Sequence, residues 1–308
     1  MRSALLLLML LGGAAAYAQE PTPTPEPLSL VVDGLTRTYS LHVPDTLTEP
    51  APLVLVLHGR GGDGAGIARY TGFSDIADHE GFIVAYPDGL DGEWNAVKDI
   101  PGYPDTHDDT AFLIALADAL ARQYPVDLAR VYVAGFSNGG FMAQRAACDQ
   151  TGRFAAFASV AAAGFGGMRA VCPESGQAPM LLMHGTADNN VLWDGVSVTR
   201  GGRTVAITYP VTQTLAFWAE FNGCQPDATT TALPQTGLSP GTSVRVLRVD
   251  CPPETPVALY AVINGGHNWP GRVPTFPREI AGNVNFDIDA AAVIWDFFAP
   301  HTQPQPPA

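Results

Sequence analysis

Basic side chains are scarce. Against 30 Asp and Glu the 308 residues carry 16 Lys and Arg, a formal charge of -14 at pH 7, so nucleic acid is excluded as a partner for want of positive surface to neutralise phosphates. Such acidity is read as solubility of an exported protein. Cysteine is sparse too: there are four, none in a C-x-x-C and none beside a histidine pair, which argues against a zinc site. No metal and no cofactor are expected. Three disulfide connectivities are open, and pairing Cys148 with Cys172 and Cys224 with Cys251 is favoured because each closes a local loop, in an oxidising compartment. Beyond the N-terminus no apolar run is long enough for a bilayer, which needs about 20 residues, so no membrane span is expected in the mature protein. Internal repeats and internal low-complexity linkers are also missing. One domain is the simplest parse.

Apolar residues make up 46% of the chain and mean hydropathy is +0.09, enough for a large core. The N-terminus shows Arg2, an apolar stretch from Ala4 to Ala16, and Ala16-Tyr17-Ala18 before Gln19. This pattern reads as a secretory signal over 1–18 with an A-x-A cleavage site, an uncleaved anchor being the alternative. Glu20 to Pro27, E-P-T-P-T-P-E-P, reads as an extended tether within 19–28, and 302–308 as a similar tail. Between them a single catalytic domain is expected over 29–301, with no appended binding module visible.

Within that domain, Leu28 to Val32 and Arg37 to Val43 alternate like hairpin strands, and Leu53 to Leu57 is a continuous apolar run typical of a strand buried on both faces. Helix Phe73 to His79, strand Phe82 to Tyr86, helix Thr110 to Arg122 and strand Val131 to Ala134 follow. Later come strand Met180 to Met183, helix Val211 to Phe221, strands Ser243 to Val249 and Val257 to Val262, and helix Ile288 to Phe298. The alternation predicts an α/β, doubly wound, mostly parallel sheet, with chemistry beyond the carboxyl ends of the strands.

Gly135-Phe136-Ser137-Asn138-Gly139 lies between a β-branched run and a helical segment. G-x-S-x-G alone recurs by chance; on a strand-to-helix turn it is a nucleophile elbow, with glycines relieving the bend. Ser137 is therefore the candidate nucleophile. A serine hydroxyl needs a base, and the base an orienting acid. His267, in Gly265-Gly266-His267-Asn268-Trp269-Pro270-Gly271 after the last strand, is the candidate base; otherwise it is a loop histidine capping backbone groups. Asp188, on the loop after the strand that follows the elbow unit, is the candidate acid, with Asp194 its competitor. The order Ser137, Asp188, His267 is that of α/β-hydrolases.

An anionic intermediate also needs N–H donors. The amide of Asn138 at a helix N-terminus and that of Arg60, in Leu57-His58-Gly59-Arg60-Gly61-Gly62, are the candidates. An ordinary glycine turn is the bland reading of the latter. Trp94, Trp193 and Trp269 fall on loops at the active end and are candidate cleft walls, although each alone is more often packing. His184 reads as a structural residue tying the acid loop, and Asp108-Asp109 as helix capping and dipole compensation and not acid/base chemistry.

L-H-G-R-G-G at 57–62, Y-P-D-G at 86–89, G-F-S-N-G-G at 135–140, H-G-T-A-D at 184–188 and G-G-H-N-W-P-G at 265–271 together resemble the secreted PHB-depolymerase-type esterases, which include the feruloyl and acetylxylan esterases of carbohydrate esterase family 1. N-G-C at 222–224 and I-W-D-F-F at 294–298 extend the similarity across about residues 30–300. The resemblance implies an α/β-hydrolase fold, no metal, and a serine mechanism on esters of plant-wall polysaccharides or polyhydroxyalkanoates, with Ser137, His267 and Asp188 as nucleophile, base and acid. Where relatives often have Val-Pro after the acid loop, this chain has Val191-Leu192-Trp193, a departure that leaves the triad intact and the adjoining pocket, hence the substrate, open. Feruloyl or other hydroxycinnamoyl esters, or acetylxylan, come first as substrates, with polyhydroxybutyrate oligomers next. Two rivals stand beside these: a prolyl-oligopeptidase-type peptidase, which an aminoacyl chromogenic substrate would reveal, and a hydrolase-fold binding protein without chemistry.

Overall fold

The computed structural model describes residues 28–47, 49–97, 106–149, 152–200, 203–274 and 276–303. The expected signal peptide, most of the tether and the end of the tail lie outside these residues. Twelve strands are described: β1 (Leu28–Val32), β2 (Leu35–His42), β3 (Ala51–Leu57), β4 (Ile83–Pro87), β5 (Val126–Phe136), β6 (Ala156–Val160), β7 (Met180–Gly185), β8 (Val196–Arg200), β9 (Arg203–Thr208), β10 (Ala228–Ala232), β11 (Ser243–Val249) and β12 (Val257–Ile263). The helices are α1 (Gly64–Thr71), α2 (Phe73–Glu80), α3 (Asp109–Ala121), α4 (Asn138–Asp149), α5 (Met168–Val171), α6 (Val211–Phe221), α7 (Arg278–Ala281) and α8 (Ala290–Phe298).

Ten strands form one sheet in the order β1-β2-β4-β3-β5-β6-β7-β12-β11-β10. The six from β4 to β12 pair in parallel, and the flanking strands are antiparallel. Along β3, Leu53, Leu55 and Leu57 point to one face and join Leu113, Leu116, Met142 and Trp218. Val54 and Val56 point to the other and join Ile67, Phe73, Ile294 and Phe298. Period-two alternation thus feeds two cores, and helices on both faces explain why β3 is apolar throughout. This is the α/β-hydrolase fold in a single domain.

Several elements depart from the sequence reading. Helix α1, strand β6 and the hairpin β8–β9 were not expected. Strand β6 is the informative one, because it stands between β5 and β7. The loop carrying Asp188 therefore follows the second strand after the elbow strand, not the first. Bonds Cys148–Cys172 and Cys224–Cys251 are formed as the loop spacing favoured. Among the described residues, no helix is long and apolar enough to cross a membrane.

Candidate active site

Strand β5 runs straight into Ser137, whose φ of 54° lies in the left-handed region, where a side chain is strained. The turn is held by Ser137 N–H donating to Val160 O at 2.8 Å, and helix α4 starts at once, with Phe141 N–H donating to Ser137 O at 3.1 Å. So sharp a bend leaves no room beside it. A Cβ on Gly135 would sit 2.0 Å from Gly139 O, and one on Gly139 would sit 2.4 Å from Leu57 O. The flanking glycines are thus required by contact with backbone, independently of any reaction.

His267 follows β12 and reaches the serine from the neighbouring loop. Its Nε2 lies 2.9 Å from Ser137 Oγ and its Nδ1 2.7 Å from Asp188 Oδ2. With Nδ1–H donating to the carboxylate, Nε2 is left to accept the serine O–H. Asp188 is fully buried, and its other oxygen accepts the N–H groups of Asn190 at 2.8 Å and Val191 at 2.9 Å. The imidazole is half-buried against Phe136, with ring centroids 5.0 Å apart. Its loop is tied down by Asn268, which donates through Nδ2 to Ala281 O at 2.7 Å and Asn283 O at 3.1 Å. Asp194 is exposed; Asp188 is the carboxylate that meets the imidazole.

His184 lies behind this set. Its Nε2–H donates to Val191 O at 2.8 Å while the same nitrogen stands 3.6 Å from Asp188 Oδ2. Burial lowers its pKa, with the negative charge of Asp188 opposing the shift. It is a neutral group tying the acid loop.

Arg60 lies on the loop after β3, and Asn138 directly follows Ser137 at the start of α4. Their backbone N–H groups take no backbone acceptor among the described residues. The Arg60 side chain is exposed and 3.3 Å from Glu93, so it turns to solvent and leaves the backbone amide as the only Arg60 donor for the oxyanion role the sequence suggests. Burial also lowers the pKa of His58, partly opposed by its bond to Gly59 O. A cleft of about 650 Å³ exists at the opposite end of the sheet, away from this chemistry. Beside Asn138 is a second of about 460 Å³, walled by Trp94, Asn95, Phe141, Phe165 and Ile207.

The three tryptophans separate. Trp94 is 4% exposed and lines that cleft. Trp193 is half-buried and meets His184 edge-on at 6.0 Å. Trp269 corrects the expectation of a cleft wall: it is 0% exposed and sits in the core against Phe73 and Phe136. Its neighbours His267 and Asn268 point to the site and its loop, which turns the indole inward. Asp108-Asp109 stands at the start of α3 as expected, with one addition. Asp108 caps α3 by accepting Ala111 N–H at 2.9 Å, but Asp109 is a buried partner of Arg37 at 2.7 Å. Nothing in the sequence pattern signalled that pair.

The fold and a hydrogen-bonded Ser–His–Asp line at the strand ends define an α/β-hydrolase. The family model described as "Esterase PHB depolymerase" matches residues 37–192, and the chain belongs to that family. The "Putative esterase NocK" of Nocardia uniformis subsp. tsuyamanensis is 30% identical over 338 residues, covering 96% of this chain and 97% of that one. "Feruloyl esterase C" of Emericella nidulans is 30% identical over 246 residues, covering 75% and 76%. Among solved structures, "Acetyl xylan esterase from Aspergillus awamori" superposes with a TM-score of 0.56 at 15% identity, covering 75% of this chain and 89% of that one; this likeness shows the fold. The chain is a carboxylesterase.

Proposed function

We propose that Ser137, His267 and Asp188 carry out ester hydrolysis and that the substrate is a plant-wall polysaccharide ester, hydroxycinnamoyl or acetyl. Ser137 Oγ attacks the ester carbonyl as His267 Nε2 takes its proton. Asp188 holds the ring and stabilises the imidazolium. The oxyanion is met by the amides of Arg60 and Asn138, one from the loop after β3 and one from the N-terminus of α4. His267 then returns its proton to the departing alkoxide, leaving an acyl-serine. Water, deprotonated by the same imidazole, adds to that acyl group and releases the acid and free Ser137.

The observation that carries the reading is the unbroken line from Ser137 Oγ through His267 to Asp188, at 2.9 and 2.7 Å, on a strained turn. The substrate choice is supported by the names of the similar proteins and by the cleft of about 460 Å³ with its aromatic walls beside Asn138, within the usual ~300–1,000 Å³ of small-ligand sites. A second reading, hydrolysis of polyhydroxybutyrate oligomers, is favoured by the description of the matching family model. Methyl ferulate, acetylated xylan and hydroxybutyrate oligomers assayed in parallel separate the two. A serine-reactive phosphonate should label Ser137 and abolish turnover. Label on another residue, or full activity of Ser137→Ala, would sink the assignment.

We read the protein as exported, as one domain over 29–301 preceded by a leader and a proline-rich tether. The two disulfides support an oxidising compartment. N-terminal sequencing of protein recovered from outside the cytoplasm should begin at Gln19; retention with Met1 intact would contradict this.

A further inference from the structure

The loop after β4 connects the two loops that carry the proposed oxyanion donors, and one residue on it, Trp94, bonds to both. Toward the elbow, Trp94 N–H donates to Asn138 Oδ1 at 2.7 Å and Trp94 O accepts Asn138 Nδ2–H at 3.2 Å. That reciprocal pair needs a side chain with a donor and an acceptor on one planar group, which is what an amide supplies. Toward the loop after β3, the indole Nε1–H of Trp94 donates to His58 O at 3.0 Å, and its ring lies 5.1 Å from the His58 imidazole. The same two loops are joined again by Gly61 N–H to Gly92 O at 2.8 Å.

The loop is also anchored from behind. Asn95 N–H donates to Asp109 Oδ2 at 2.7 Å, and Asp109 is itself fixed by Arg37 at 2.7 Å with both side chains buried. Trp94 is 4% exposed. It is therefore a buried strut between Asn138 and His58, held by a buried ion pair. Two amides that must reach one oxygen, each at roughly 2.7–3.1 Å, sit on the two loops that Trp94 joins.

We propose that Trp94 and the side chain of Asn138 are positioning residues that fix the separation of the Arg60 and Asn138 amides. Both act through those amides, so the proposal rests on the Ser137 centre above. Rigid placement matters because a donor displaced by a fraction of an ångström meets the ground-state carbonyl and misses the oxyanion.

The test is kinetic and uses the full chain. Trp94→Phe keeps the ring and loses the indole N–H; Asn138→Ala keeps the backbone amide and loses both side-chain bonds. With kcat normalised to sites titrated by phosphonate, we expect falls of about 10-fold and about 10- to 100-fold, below the ~10²–10³ of deleting a donor outright. KM should stay within about twofold. A boronic acid inhibitor should weaken in parallel, and the double variant should be little worse than Asn138→Ala because both changes act on one separation. A merely structural role would lower the titratable fraction or the melting temperature and leave kcat per site unchanged; that result overturns the strut. Ser137→Ala distinguishes the two failures: if it retains activity, the centre falls and the strut with it, whereas an inactive Ser137→Ala beside unaltered strut variants removes the strut alone.

Discussion

His58 Nε2 accepts the backbone N–H of Gly89 at 2.9 Å, while its Nδ1–H donates to Gly59 O at 2.7 Å. The Gly89 bond requires a neutral ring, because a proton on Nε2 would face another donor. The imidazole is 1% exposed, so the loop bearing Arg60 is held by a histidine that must not ionise.

The pH dependence follows from that neutrality. Burial lowers the pKa of His58, and likewise of His184 and His301. As pH falls, the unfolded chain takes up these protons first, near the ordinary value of about 6.5. Stability is then complete above that value and is lost as pH falls through the lowered one. Thermal melts between about pH 7.5 and pH 5 should show a declining midpoint. His58→Gln, whose side chain can still accept the Gly89 N–H and carries no titrating proton, should flatten the decline; an identical slope would rule out His58 as a contributor.

Ser137 at φ 54° trades stability for placement of its hydroxyl. A non-glycine residue in the left-handed region costs roughly 1–2 kcal/mol. Ser137→Gly should therefore abolish ester hydrolysis while raising stability by about 1 kcal/mol. Urea denaturation measures the second effect. A destabilised glycine variant would mean that the serine side chain contributes more than its backbone costs.

The acid assignment makes a paired prediction. Asp188 is buried on the His267 ring, and Asp194 is exposed. Asp188→Asn should lower kcat by about 10⁴-fold, the order seen when an orienting carboxylate becomes an amide and the wrong imidazole tautomer results. Asp194→Asn should leave it within about twofold. Steady-state kinetics on one soluble ester decides between them, and the reverse ranking would transfer the role.

Much of this site was legible because its residues occupy strand ends, where sequence marks position. Ser137 follows a β-branched run, His267 follows the last strand, and Asp188 lies four residues past a buried histidine. What escaped has no such marker. Phe154-Ala155-Ala156-Phe157-Ala158-Ser159-Val160 is alanine-rich and short of β-branched residues, so propensity hides strand β6. Its small side chains suit the close approach of α4, where a Cβ on Gly140 would come within 3.1 Å of Ser159 Oγ. Tertiary packing overrides the local preference. The Trp94–Asn138 pair joins residues 44 apart, and no spacing rule foretells a contact across the crossover through α3. Trp269 was misplaced because a polar, glycine-rich loop looks exposed, whereas Phe73 and Phe136 cover the ring.

Adjacent aspartates at the start of α3 should behave differently. Asp108 is a cap, and Asp108→Ala should cost about 1 kcal/mol. Asp109 is a buried charge: burial alone would raise its pKa, but bonds from His107 and the Asn95 N–H, together with Arg37, hold the carboxyl below its usual range. Its contribution is thus present above the ordinary carboxylate pKa and is lost as pH falls through the lowered one. Asp109→Asn leaves the Arg37 guanidinium, 2% exposed, without a counter-charge, and should cost about 3–5 kcal/mol. Replacing both, as Arg37→Met with Asp109→Leu, should recover part of that loss because no charge is then stranded. Urea midpoints at neutral pH give the ranking. If Asp109→Asn proved no worse than Asp108→Ala, the ion pair would be a dispensable contact, and the anchor behind Trp94 would have to lie in the Asn95 loop itself.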